Sequence, residues 1–289
     1  MQRHIHPALL GCLTVCCFTA GSGMAQAATP TNPLLVANNE IGVAATGALM
    51  NYQEHFSPAQ THGKSDTESG WMPGFAVNYS LMGDYFRSLP NLYFDVHYDY
   101  ASGGLHYQGF LQKPGLPNSQ STENATTQRV LARLGMGFPV DQRMLLTPYL
   151  AGGYQSWDRN LSAIQKEYYR AELVGAGLRY QFAPMSRLVL SANVEGLAVI
   201  GGGMTPSGTP LADHLGTAPF ETSGEEKIAV NADYQLSGPW HVFGGLSFTH
   251  FNYTGGHLNS PLAIHLGSFE PPSSTNLLGM DLGLAYAFS

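Results

Sequence analysis

Asp95, His97 and Asp99 alternate along the chain, so an extended strand presents two carboxylates and an imidazole on one face. Groups of these types in that spacing support two kinds of chemistry, ligation of a metal ion and activation of water by a general base. Arg129 and Arg133 share a face in a second stretch of alternating sequence. If the two faces meet, the guanidinium groups neutralise the carboxylates, and the cluster becomes a structural network that plugs the space between strands. The network is the favoured reading, and Arg179, Glu195, Asp233 and Asp281 fall in the same polar register of other stretches. No catalytic residue, metal ligand or cofactor is expected.

Only the strands that carry these residues can bring them together. The alternation is clearest near the C-terminus, where Leu278, Met280, Leu282, Leu284, Tyr286 and Phe288 interleave with Gly279, Asp281, Gly283, Ala285 and Ala287. In a strand, one face is then wholly large and apolar and the other small or polar. Residues 92–101, 130–138 and 228–236 repeat the pattern, and 41–53, 71–82, 147–157, 168–182, 187–199 and 240–253 are further candidates. The sequence predicts about ten strands, each near the length that crosses a bilayer when tilted. The stretches from Thr147 and Trp240 alternate poorly, which leaves eight or twelve as the neighbouring counts.

Composition agrees. Of 289 residues, 44% are hydrophobic but only 11% are charged, little charge for a surface bathed in water. Mean hydropathy is −0.08, and past the N-terminal segment no apolar run approaches the roughly eighteen residues of a transmembrane helix. This excludes a helical multi-span protein and suits strands with one greasy face. With 13 basic against 20 acidic residues, nucleic acid is not an expected partner, since phosphate affinity comes from clustered Lys and Arg.

The links between strands alternate in length. Those at 83–91, 139–144, 183–186 and 237–239 are short, whereas 54–70, 103–126, 158–167, 201–221 and 255–275 are mostly long and rich in Ser, Thr, Asn, Gly and Pro. Short periplasmic turns and long outer loops are the pattern of a transmembrane barrel, and a soluble sandwich has no reason to sort its loops by parity. On the apolar register Tyr79, Phe94, Phe138, Tyr180, Phe182, Tyr234, Trp240, Tyr286 and Phe288 gather at the short-turn ends, which predicts an aromatic girdle there. Trp71, Tyr98 and Tyr100 begin a thinner second one. A charge facing hydrocarbon costs roughly 2 to 4 kcal/mol at the midplane, so the charged register must face a lumen. Arg170 and Glu172 break the rule and are expected above the membrane or beside a bulge. Small inward residues on the first and last strands, Gly42, Ala44, Thr46, Ala48, Gly279, Gly283 and Ala285, are expected to make room for the lumen network.

At the other end, a basic Arg3, an apolar stretch over 7–21 and Ala25-Gln26-Ala27 predict a secretory signal over 1–27. Cys12, Cys16 and Cys17 all lie in it, so the mature chain is expected to have neither disulfide nor thiol. The predicted organisation is the signal, a periplasmic lead over 28–39, and one antiparallel up-and-down barrel over 40–289 with five long outer loops.

Asp281, Gly283, Tyr286 and Phe288 fit the pattern polar, any, Gly, two of any, aromatic, any, aromatic. In this the chain resembles outer-membrane β-barrel proteins of Gram-negative bacteria, although they usually end on the aromatic and Ser289 follows here. The resemblance implies placement in the cell outer membrane, contact with its lipid and lipopolysaccharide, and recognition of the last strand by the barrel-assembly machinery. The expected role is non-enzymatic, an adhesin-like display barrel or structural envelope component, with the outer partner unspecified. The alternatives are a narrow passive channel and a hydrolase. Omptin proteases are similar in size and strand number, and the similarity implies an Asp-His pair opposite an acidic pair at the outer rim. Here Asp213 and His214 are adjacent, and no Asp-x-Asp stands opposite. Lipid A deacylase barrels are similar through Thr249-His250-Phe251-Asn252, with Asn252 at the expected serine.

Overall fold

The structure, a computed structural model, describes residues 32–55, 65–110, 118–162 and 165–288, with side chains throughout except at 110 and 118–120. The expected signal over 1–27 and Ser289 lie outside the described residues. Ten long strands form the wall: β1 (Glu40–Glu54), β2 (Thr67–Gly83), β3 (Leu92–Phe110), β4 (Asn118–Met136), β5 (Met144–Ser162), β6 (Gln165–Met185), β7 (Leu188–Ser207), β8 (Ser223–Ser237), β9 (Trp240–Tyr253) and β10 (Ser273–Ala287). Each pairs antiparallel with its neighbours, and β10 pairs with β1, so the sheet closes into an up-and-down barrel without a free edge. Closure satisfies every ladder, which a strand-built wall in lipid requires. The poorly alternating stretches from Thr147 and Trp240 are full wall strands, and the count is ten.

The outer surface follows the alternation. Ile41, Val43 and Leu49 on β1, Leu150 and Tyr154 on β5, and Leu278, Met280, Leu282 and Leu284 on β10 are all exposed, as are their counterparts around the wall. At the short-turn end Phe94, Phe138, Tyr180, Tyr234, Trp240 and Tyr286 are exposed as the predicted girdle, and Trp240 meets Tyr286 edge-on at 5.4 Å. At the opposite end the outward register turns polar at one level. Register pairs Glu226 with His250, His250 with Asn276, Asn276 with Asn51 and Asn51 with Ser69. Such a belt, apolar between an aromatic ring and a polar ring, is the outer wall of a membrane-spanning barrel. No helix among the described residues is long and apolar enough to cross a membrane.

Trp71 shows why one wall position is glycine. Its indole lies flat over Gly47, where a Cβ would stand 1.9 Å from Cζ2.

Arg170, Glu172 and Val174 share the outward face of β6, and the register shifts between Glu172 and Leu173 at a bulge that leaves Ile200 of β7 unpaired. Arg170 is paired there with Asp158 at 2.6 Å. Two expected loops prove largely to be strand. Residues 103–110 and 118–126 continue the β3–β4 ladder, and 158–162 and 165–167 continue that of β5–β6. Their polar residues conceal this, because a ladder that rises above the belt has water on its outer face and no reason to alternate with large apolar groups. The expected lead is also more than a tether. Helix α1 (Pro33–Val36) is capped by Asn32 and buries Leu34 against β6 and β7 at the short-turn mouth. Asn39 pins it to Met82 through paired bonds of 2.7 and 3.0 Å.

Candidate functional site

The lumen is the site that the alternation builds, since every second residue of ten strands points into it. Its side chains meet in three levels, separated by a cavity of about 310 Å³.

The lowest level lies at the short-turn end. Asp95 on β3 stands opposite Arg133 on β4, and Arg133 Nη1 donates to Asp95 Oδ1 at 2.7 Å. The same guanidinium donates from Nε to Glu195 Oε2 at 2.7 Å, across the lumen on β7. Tyr149 completes this contact, its hydroxyl 2.8 Å from Asn193 Oδ1 and 3.1 Å from Glu195 Oε2. Arg179 donates to the Tyr93 hydroxyl at 3.0 Å. Asp233 is held by His241 at 2.6 Å, with Glu40 beside them. Below this, Asn38 beside α1 donates to Gln181 at 2.7 Å.

The middle level borders the cavity. Arg129 was expected to neutralise Asp99, its register partner, but it spans the lumen instead and pairs with Glu225 and, at 3.7 Å, with Glu195. Both glutamates are fully buried at the side chain, whereas Asp99 is 39% exposed to the cavity. Guanidinium length lets the cation go where desolvation makes it worth most. Asp99 takes His97 at 3.0 Å instead. Asp281 and Lys227 line the same space without an ion pair within 4 Å among the described residues. The small residues of β1 and β10 do not receive the bulk of the network. Phe243 fills the hollow at Gly42 and Gly283, and Ala44, Thr46, Ala48 and Gly279 remain as cavity wall.

The upper level is aromatic and lies beyond the belt. Trp157 stacks on Tyr169 at 5.0 Å, Tyr169 faces Phe220 and Tyr253 at 6.1 and 5.7 Å, and Phe220 stacks on Tyr253 at 4.5 Å. Contacts cross the lumen, from Tyr52 on β1 to Trp157 on β5 and from Gln155 on β5 to Tyr253 on β9. At its centre Arg159, 1% exposed, reaches Glu54 at 3.3 Å, Glu167 at 2.6 Å, and Glu68. Glu270 accepts from the Tyr169 hydroxyl at 2.5 Å. One cation cannot serve so many buried carboxylates. Burial, opposed in part by Arg159, pushes the Glu54 carboxyl up to about 8, and Glu68 and Glu270 are raised in the same direction by the same cause.

Two outer loops supply this level. The β7–β8 loop adds the short strand Ala218–Pro219 against Gly203 and Met204, which delivers Phe220. The β9–β10 loop carries helix α2 (Pro261–Leu266) and the ribbon Gly256–His257 with Phe269–Glu270, which delivers Glu270. The loops are tied together, Asn259 to Thr217 by two bonds of 3.1 Å and Ser260 to Leu215 by one of 3.3 Å.

The nine residues expected in the lumen network all face it. Glu40, Glu225, Lys227 and His241 join them from the same inward register, each within three positions of the start of an alternating stretch. Arg159 and its glutamates lie in segments, 54–70 and 158–167, whose polar sequence predicts loops. Of the hydrolase candidates, Asp213 caps a turn through Ser207 and Gly208, His214 contacts the Pro210 carbonyl at 2.6 Å, and His250 stands on the outer wall at 2.9 Å from Asn276.

No protein-family model matches the sequence, and no curated protein matches it. Among solved structures, the chain is similar to the outer membrane protease OmpT from Escherichia coli, with 12% identity, TM-score 0.48, and coverage of 87% of this chain and 98% of that one. It is also similar to the outer membrane protein OprG from Pseudomonas aeruginosa, with 6% identity, TM-score 0.38 and 86% and 96% covered. A third is Ail, the attachment invasion locus protein of Yersinia pestis, with 11% identity, TM-score 0.33 and 87% and 99% covered. At these identities and scores none of them assigns a role to a residue of this chain.

Proposed function

We propose that this chain is a closed outer-membrane barrel that displays a binding surface to the exterior and neither conducts nor catalyses. The observation that carries the reading is the joined layer of the two longest outer loops. It is tied by hydrogen bonds, and it leaves Leu211, Leu262, Ile264 and Leu266 exposed beyond the lipid belt. Exposed apolar side chains on loops outside the membrane have no lipid to cover them, which supports a role in protein contact. The two ends of the lumen support the same reading, because α1 and the ion network stand at one and the aromatic layer at the other, on either side of the cavity. A hydrolase at Asp213-His214 or His250 is less well supported, since those groups serve turn and wall contacts. Placement in the outer membrane rests on the even count of antiparallel strands, the girdles, and the predicted signal. Assembly is proposed to use the last strand, whose Tyr286 faces lipid and whose Asp281 and Gly283 face inward.

The test is attachment. Cells displaying the barrel are compared with cells displaying Leu262→Asp with Ile264→Asp, both verified as folded by heat-shifted gel mobility. The reading expects binding to host or bacterial surfaces that the double variant loses. Equal attachment by both, together with loss of peptide or lipid hydrolysis in His214→Ala or His250→Ala, favours the enzyme.

A further inference from the structure

We propose that Glu40, Asp233 and His241 form a site for a divalent transition-metal ion, of which zinc is the best fit, at the short-turn end of the lumen. One ligand atom from each residue lies within 4.8 Å of the other two. The residues come from β1, β8 and β9, so an ion there would fasten the first strand to the far side of the closing seam.

Three polar atoms in this corner lack any hydrogen-bond partner: Glu40 Oε2, Asp233 Oδ2 and His241 Nε2. Glu40 is 7% exposed and His241 3% exposed, so both sit away from bulk solvent. Buried acceptors without donors are rare, and a cation satisfies several at once. The remaining contact fits the same purpose. Asp233 Oδ1 already lies 2.6 Å from His241 Nδ1, so an ion that takes both atoms as ligands would replace the proton they share, with Glu40 as the third ligand. Arg179, the nearest guanidinium, is committed to Tyr93 at 3.0 Å and makes no ion pair with Glu40. Ligand atoms around zinc at about 2.0–2.2 Å must approach each other more closely than 4.8 Å. Rotation of Glu40, the first residue of its strand, closes the gap. Glu40 and Asp233 both line the cavity, so three protein ligands would leave an open position there for water. An imidazole with two carboxylates suits zinc better than calcium or magnesium, which prefer oxygen alone.

The experiment titrates zinc into chelator-treated, refolded barrel in detergent by calorimetry. One zinc per chain is expected, with a rise in melting temperature. Asp233→Asn and His241→Gln should each weaken binding at least tenfold, whereas His55→Gln and His250→Gln should not. No zinc uptake, or uptake equal in all variants, overturns the site. If Asp233→Asn and His241→Gln fail the gel-mobility check for folding, cobalt is added to the unaltered, isotope-labelled barrel. Broadening confined to amides near 40, 233 and 241 supports the site, and broadening elsewhere or none overturns it.

Discussion

Asp95 and Arg133 face each other as register partners on β3 and β4, joined at 2.7 Å, and Arg133 continues from there across the lumen to Glu195. One guanidinium thus compensates two carboxylates on opposite walls, and removing it leaves Asp95 without its cation and Glu195 with only Arg129 at 3.7 Å. Breaking a buried pair by deleting one member costs about 3–5 kcal/mol. Arg133→Ala should therefore lower the temperature at which gel mobility shifts by many degrees, while Arg133→Ala with Asp95→Asn and Glu195→Gln recovers part of the loss. An unchanged transition in the single variant contradicts the network.

The outer level should respond to pH in a direction opposite to ordinary acid denaturation. Glu54 is held up to about 8 by burial, against an ordinary value of 4.5. A group bound more tightly to its proton in the folded state stabilises fully below its unfolded value and loses that contribution as pH rises through the folded one. The barrel should lose stability between about pH 5 and pH 9 on this account. Glu54→Gln, which stays neutral, should flatten that slope in thermal melts, and an identical slope in both proteins contradicts the assignment.

Trp71 covers Gly47 so closely that any side chain there displaces it. Gly47→Val should cost about 1–3 kcal/mol by overpacking. It should also shift the tryptophan emission as the indole leaves its seat on the wall. Emission unchanged in a folded variant would mean that the ring rests elsewhere.

Position on the wall sets the effect of an added charge. Leu150 is 70% exposed at the level of the belt, and Leu150→Arg should cost about 2–4 kcal/mol in a bilayer. Gln53→Arg, on the same face but above the polar ring, should cost close to nothing. Unfolding in lipid vesicles distinguishes the two, and equal costs contradict the placement of the belt.

The strands and their facing were legible in the sequence because period-two alternation survives wherever one side meets lipid. Leu278 to Phe288 is the plainest case. Above the belt both faces meet water or protein, the constraint lapses, and Asp158 to Glu167 reads as a loop although its backbone pairs to Ser162 and Gln165. Arg159 and the carboxylates around it were hidden for that reason. The choice of partner in the lumen was hidden for another. Register places Arg129 beside Asp99, but a long side chain crosses to Glu225, and which buried charge most needs a cation depends on desolvation in three dimensions. Phe220 and Glu270 enter the lumen from loops, where no periodicity announces a direction.

The central claim is that the lumen is closed, by α1 and the ion network at one end and by the aromatic layer at the other. Planar-bilayer recording of the refolded chain tests it most directly. The account predicts no steady conductance from the unaltered protein, and discrete steps once Leu34→Asp releases α1 and Arg133→Ala opens the network above it. Steady, reproducible conductance steps from the unaltered protein would contradict it.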